Sequence, residues 1–213
     1  MTEKEMLKVL DMVAAIMIRR HVCERRTSEN DDIFAKLLKL DITDSYLDKI
    51  KDSLIEDYPD DDEFSDRFPT QQLKGILEVR AKYILTQLEY NMTGNTNEFT
   101  LNSGTDVHLE HIIPQNITSK SSKNKYGDWE SYLGDKAVMR HKKYINRIGN
   151  MTLLASELNI KASNNPFSRK KQFYKDSNIA ITKHLGTLGN FKFTTVDNRG
   201  VDLAKKALKI WKI

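Results

Sequence analysis

The sequence predicts a mostly α protein with a small ββα element set into its second half. Three observations carry that prediction. Apolar residues recur at helical spacing through the first hundred positions. Two short stretches, Val107 to Ile113 and the apolar Met151 to Leu154, have the length and bounds of strands. Directly after the second, Ser156 is a suitable N-cap for a helix that carries Asn159.

Taken in order, Met6, Val9, Leu10, Val13, Ile16 and Met17 form the stripe of a first helix, and Arg19-Arg20-His21 places positive charge in its last turns, where it complements the dipole. The residues from Thr27 to Asp32 supply caps for a second helix through Phe34, Leu37 and Leu38, and a third is expected from about Thr43 to Ile55. Asp60-Asp61-Asp62-Glu63 reads as an acidic helix start. Pro69-Thr70 is expected to open a helix with Leu73, Ile76, Leu77, Ile84 and Leu88 on one face, ended by the polar stretch Asn91 to Asn97. Phe99 to Leu101 is a further strand candidate, set off by Asn102-Ser103-Gly104. Beyond Pro114, helical pieces are expected around Trp129 to Leu133 and Val138 to Ile145. Asn164-Asn165-Pro166 stops the Asn159 helix, a basic and aromatic helix follows over Phe167 to Lys175, and a last helix from about Val196 buries Val201, Ala204, Ala207, Leu208 and Trp211. The domain expectation is a helical scaffold over residues 1–97 and an α+β half over 98–213.

Composition narrows the function classes. The longest apolar run, Val9 to Ile18, is interrupted by Asp11 and is shorter than the ~20 residues that span a bilayer. A single cysteine, Cys23, excludes an internal disulfide and a zinc ribbon, and predicts a buried structural thiol. The net charge of +4 hides an asymmetry: residues 1–100 hold 14 basic and 21 acidic side chains, a balance of −7, whereas 101–213 hold 20 and 9, a balance of +11. A half that basic is an electrostatic candidate for a polyanion.

The same half carries the candidate chemistry, His108-Leu109-Glu110-His111-Ile112-Ile113-Pro114 and Gly149-Asn150-Met151-Thr152-Leu153-Leu154 with Asn159. His108 and Glu110 match half of a zinc deaminase signature, but one cysteine cannot supply the rest, and neither H-E-x-x-H nor G-x-S-x-G occurs. Acid, histidine and amide suit phosphodiester hydrolysis instead. Glu110 and Asn159 offer oxygen ligands to a hard ion such as Mg²⁺, and a neutral His111 can take a proton from water. On spacing alone, a histidine at a strand end is more often structural and asparagines are more often caps, so the residues by themselves stop at a candidate. Strict strand alternation would send Glu110 and His111 to opposite faces, and only a bend or an end near Pro114 lets both serve one centre.

These segments resemble the C-terminal region of the GmrSD-type, modification-dependent restriction endonucleases. That family's HNH (His-Me finger) nuclease domain carries an acid-His-x-x-Pro strand, then Gly-Asn-Leu-Thr-Leu-Leu and a distal asparagine. Here Met151 stands where leucine is usual, and the likeness extends to the Phe167 to Tyr174 and Arg199 to Trp211 helices and to the helical region before them. The resemblance implies a metal-dependent DNA endonuclease or nickase, with His111 as general base, Glu110 and Asn159 as ligands of Mg²⁺ or Mn²⁺, and Asn150 holding the loop that bears His111. His108 is a possible auxiliary. His141, Lys142, Lys143, Arg147, Arg169, Lys170 and Lys171 are the expected contacts to double-stranded DNA. The resemblance further implies an antiviral role in the bacterial cytoplasm and a nucleotide-dependent sensor domain N-terminal to this region, so the chain is expected to be a fragment. The rivals are an inactive nucleic-acid-binding or assembly module, and a ribonuclease using the same site.

Overall fold

The computed structural model describes residues 2–41, 45–94 and 106–213. The expected strand Phe99 to Leu101, its turn, and the start of the third helix at Thr43 lie outside them. Among the described residues there are twelve α-helices and one two-stranded antiparallel sheet, the mostly α architecture with a small β element that the sequence predicts. No described helix is long and apolar enough to cross a membrane.

Two compact units divide the chain: Met1–Phe68 with Ala204–Ile213, and Pro69–Leu203. In the first, helices α1 (Glu3–Val22), α2 (Glu29–Leu38), α3 (Tyr46–Ile55) and α4 (Asp61–Arg67) enclose Ile16, Ile33 and Leu54. Asp60 caps α4 by accepting the Glu63 amide at 2.8 Å, the acidic start read from the sequence. The α1 stripe is narrower than predicted, since Met6 and Leu10 are exposed. Its C-terminal charges also do more than answer a dipole. Arg19 is fully buried, donates to the carbonyls of Trp211 and Pro59, pairs with Asp61 at 2.6 Å and lies over the Tyr58 ring. Such a guanidinium satisfies several backbone acceptors at once, which is how a small helical core tolerates a buried charge. Cys23 is buried as expected, and burial pushes its thiol up to about 11.

The second unit opens on turns and irregular backbone, and the helix expected from Pro69 begins only at Leu77. Leu73 is buried and its amide donates to the Asn146 carbonyl at 2.8 Å, a tether that a helical turn there would forfeit. Helix α5 (Leu77–Thr93) then buries Ala81, Ile84, Leu85 and Leu88 and packs on the sheet. Its Glu89, fully buried, accepts the Ala180 and Ile181 amides at 2.7 and 2.8 Å and so caps a helix ninety residues away.

After β1 (Val107–His111) come α6 (Lys120–Tyr126), α7 (Trp129–Leu133) and α8 (Ala137–Tyr144). A 3₁₀ turn, Ile148–Asn150, leads into β2 (Met151–Ala155), followed by α9 (Ser156–Ala162), α10 (Phe167–Lys175), α11 (Ala180–Lys183) and α12 (Phe193–Ile210). Ser156 is the first residue of α9 and makes no capping bond, contrary to its expected N-cap role; the cap position falls on Ala155. Val201 of α12, expected in the core, is 44% exposed. The unit's core joins Ile112, Ile113, Trp129, Leu154, Phe167 and Phe191. Gly149 is required where it stands. A Cβ there would meet the Val196 carbonyl oxygen inside contact distance and the Gly200 amide nitrogen at 3.1 Å.

Candidate active site

The two motif strands pair directly. β1 and β2 run antiparallel with His108 opposite Leu154, Glu110 opposite Thr152 and His111 opposite Met151. β2 is buried from Met151 to Leu154, so covered on both faces it reads as an unbroken apolar run around Thr152. Thr152 itself is satisfied by the Thr182 hydroxyl at 2.6 Å. The Arg199 guanidinium fixes the entry to β2, donating from Nη1 to the carbonyls of Ile148, Gly149 and Met151. α9 follows β2 without a loop and carries Asn159 back beside β1. Its amide nitrogen stands 3.3 Å from His108 Nδ1.

Asn150 is wholly buried and acts as a clamp. Its Oδ1 accepts the Ile113 amide at 2.8 Å, and its Nδ2 donates to the carbonyls of Ile113 and Ile145, each at 3.0 Å. Its own carbonyl accepts the Ile112 amide at 2.9 Å. The backbone just beyond His111 is thereby held by two side-chain bonds and one main-chain bond from a single residue at the mouth of β2, and the third side-chain bond ties that residue to the end of α8.

Glu110, His111 and Asn159 border one polar cleft of about 220 Å³, shared with Pro114 and Gln115 and with Ser163 and Asn164 at the end of α9. Glu110 and His111 still diverge as strand alternation requires. Glu110 is 6% exposed and faces α10, where its Oε1 accepts Lys170 Nζ at 2.7 Å and the Tyr174 hydroxyl at 2.8 Å. His111 is 8% exposed and hydrogen-bonded with Asn146. The two share the cleft because β1 ends at His111. Its Nε2 is buried without a hydrogen-bond partner, one of few such atoms among the described residues.

Burial, helped by the Lys170 ammonium, lowers the His111 pKa from 6.5 to about 4, so the ring is neutral at pH 7. The unfolded chain takes up this proton near pH 6.5 and the folded one only near 4. Stability from the neutral ring is therefore full above pH 6.5 and is lost as the pH falls from there through 4. The two limits differ by about 3 kcal/mol at ~1.4 kcal/mol per pH unit. Urea unfolding at pH 7 and pH 4.5 is expected to show a larger drop for the wild type than for His111→Gln. Equal drops would refute the buried neutral ring.

Several residues expected at a nucleic-acid surface stand elsewhere. His141 is buried, with Nε2 at 2.8 Å from the Pro114 carbonyl, and burial lowers its pKa; it props the turn after His111 and cannot meet a backbone phosphate. Lys170 is 0% exposed and is committed to Glu110 and to the His111 carbonyl at 2.8 Å. Arg147 pairs with Asp197 at 2.9 Å beneath the Tyr144 ring, and Lys171 donates to the Leu188 carbonyl. Lys142, Lys143 and Arg169 are exposed. Sequence reasoning missed that Lys170 and Tyr174, four apart on α10, turn one helix face toward Glu110. Their spacing was the available signal, hidden by reading Arg169 to Lys175 as a basic surface.

The family model for the C-terminal domain of the GmrSD restriction endonucleases matches residues 58–206. No curated protein matches the chain.

Proposed function

Because the chain belongs to the GmrSD restriction endonucleases through their C-terminal domain, we propose that it is a metal-dependent DNA endonuclease or nickase of the HNH (His-Me finger) kind. One observation carries this reading: Glu110, His111 and Asn159 border a single cleft at the junction of two paired strands and a helix. As effector of a system against phage or modified DNA in the bacterial cytoplasm, it would work with a nucleotide-dependent sensor domain. That placement rests on the family alone.

The donor set fits a hard divalent ion. Among the described residues no hydrogen bond falls on Glu110 Oε2, because Lys170 and Tyr174 both use Oε1, and the Asn159 amide meets His108 through Nδ2, leaving Oδ1. Among the described residues no three His, Cys, Asp or Glu side chains gather into a metal cluster. Two protein oxygens completed by water and a substrate phosphate suit Mg²⁺ or Mn²⁺, which keep several waters; they do not suit zinc. When bound, the ion supplies stabilisation of the charge on the phosphate and the leaving oxygen.

The chain's own residues do the rest. His111, neutral and with Nε2 uncommitted, accepts the proton of the attacking water; a water arriving with the substrate is the partner that Nε2 lacks. Asn150 keeps the His111 backbone in place, and His108 orients Asn159 from the neighbouring strand position. The exposed Lys142, Lys143 and Arg169 lend affinity for backbone phosphates without reading sequence. Supercoiled plasmid incubated with the protein and Mg²⁺ or Mn²⁺ is expected to relax or linearise, and EDTA to abolish cutting. Retarded but uncut DNA under every divalent ion would instead indicate an inactive binding module, and cleavage of RNA alone a ribonuclease.

A further inference from the structure

Lys170 is a fully buried ammonium beside an acid read as a metal ligand, and the mechanism above gives it no task. A buried ion pair is weak grounds for stability, since desolvating both charges offsets much of their attraction. Its geometry is more specific than charge balance needs. Nζ spans two acceptors, Glu110 Oε1 at 2.7 Å and the His111 carbonyl at 2.8 Å, and so ties the acid's head to the backbone of the adjacent histidine. The Tyr174 hydroxyl, one helical turn along α10, donates to the same Oε1 at 2.8 Å. Two donors converging on one oxygen fix the carboxylate plane and leave the other oxygen without a hydrogen bond among the described residues. Phe167 and Tyr174 anchor α10 in the core behind Glu110.

We propose that Lys170 and Tyr174 are positioning residues that hold Glu110 by one oxygen and thereby present its other oxygen to a divalent ion in the cleft. This rests on the metal-nuclease reading. It also makes a prediction of unusual sign. An ammonium this close to a bound cation repels it, so if Lys170 served only to balance charge or to fill the core, its removal would tighten ion binding. If it positions the acid, removal weakens binding in spite of the lost repulsion.

The test is Mn²⁺ binding to the full chain without DNA, followed by electron paramagnetic resonance of the free ion. Glu110→Gln, Lys170→Met and Tyr174→Phe are compared with the wild type, with thermal unfolding as the fold control. Tyr174→Phe keeps the ring and removes one hydrogen bond, so it remains informative if Lys170→Met does not fold. Expected is an Mn²⁺ affinity about tenfold weaker for Lys170→Met, on the scale by which removing the partner of a metal ligand lowers affinity, and a smaller loss in the same direction for Tyr174→Phe. Unchanged or tighter binding in a folded Lys170→Met or in Tyr174→Phe, with binding lost in Glu110→Gln, overturns the positioning role and leaves the metal reading standing. A wild type that binds no Mn²⁺ overturns both.

Discussion

His111→Ala is expected to slow phosphodiester hydrolysis by about 10²–10⁴-fold, the range that a positioned general base contributes. The loss should fall on the chemical step. His111 lies at the end of β1 on the border of the cleft, and the exposed cations that would meet phosphates, Lys142, Lys143 and Arg169, are other residues. Single-turnover cleavage at saturating protein measures that step directly, while gel retardation with the same variant should give wild-type DNA affinity. Folding should survive as well, because Asn150, not the imidazole, holds the turn, and the half-buried Asn146 side chain is the one partner left behind. A variant that cuts within threefold of the wild-type rate would remove His111 from the reaction.

The second large effect belongs to Asn150→Ala, and it should register as stability first. The substitution strips the Ile113 amide and the Ile113 and Ile145 carbonyls of their partners inside a core from which Asn150 is fully excluded from solvent. A buried polar group left unsatisfied costs ~1–3 kcal/mol, so three of them approach a sizeable part of the ~5–15 kcal/mol that holds a domain folded. Asn150→Asp should rescue little, since it restores the acceptor for the Ile113 amide and turns a carboxylate oxygen toward two carbonyls. Urea denaturation reads the outcome as a fall in midpoint with an unchanged slope. An unfolding free energy within ~0.5 kcal/mol of wild type, the range of a neutral surface substitution, would show that the clamp is dispensable.

Much of the site's skeleton is legible in the sequence because its parts are local. Val107 to Ile113 is read as a strand and ends as one at His111, Met151 to Leu154 is a short apolar run, Asn159 sits one turn into the next helix, and the paired strands bring them to one cleft. The alternation argument for Glu110 and His111 also describes the structure: the acid meets α10, the histidine meets Asn146, and the strand's end lets both border the same space. What the sequence hides are long-range polar partners. Lys170 looks like one more cation in a basic helix until Glu110, sixty positions away, turns out to face it. Arg19 looks like a dipole-complementing helix end, yet its acceptors lie at Pro59 and Trp211. Glu89 looks like a surface acid on an amphipathic helix, and it caps α11. A charged side chain carries no sequence mark of whether a distant partner will cover its burial. The misplaced start of α5 has a related cause, since the bond from the Leu73 amide to Asn146 competes with a local helical turn.

The central claim is that Glu110, His111 and Asn159 form one metal-dependent site. Anomalous diffraction from crystals soaked in Mn²⁺ tests it most directly. A single peak is expected in the cleft, ligated by Glu110 Oε2 and Asn159 Oδ1, with His111 Nε2 within one water of it. A cleft without a peak at saturating Mn²⁺, or an ion bound away from both oxygens, would contradict it.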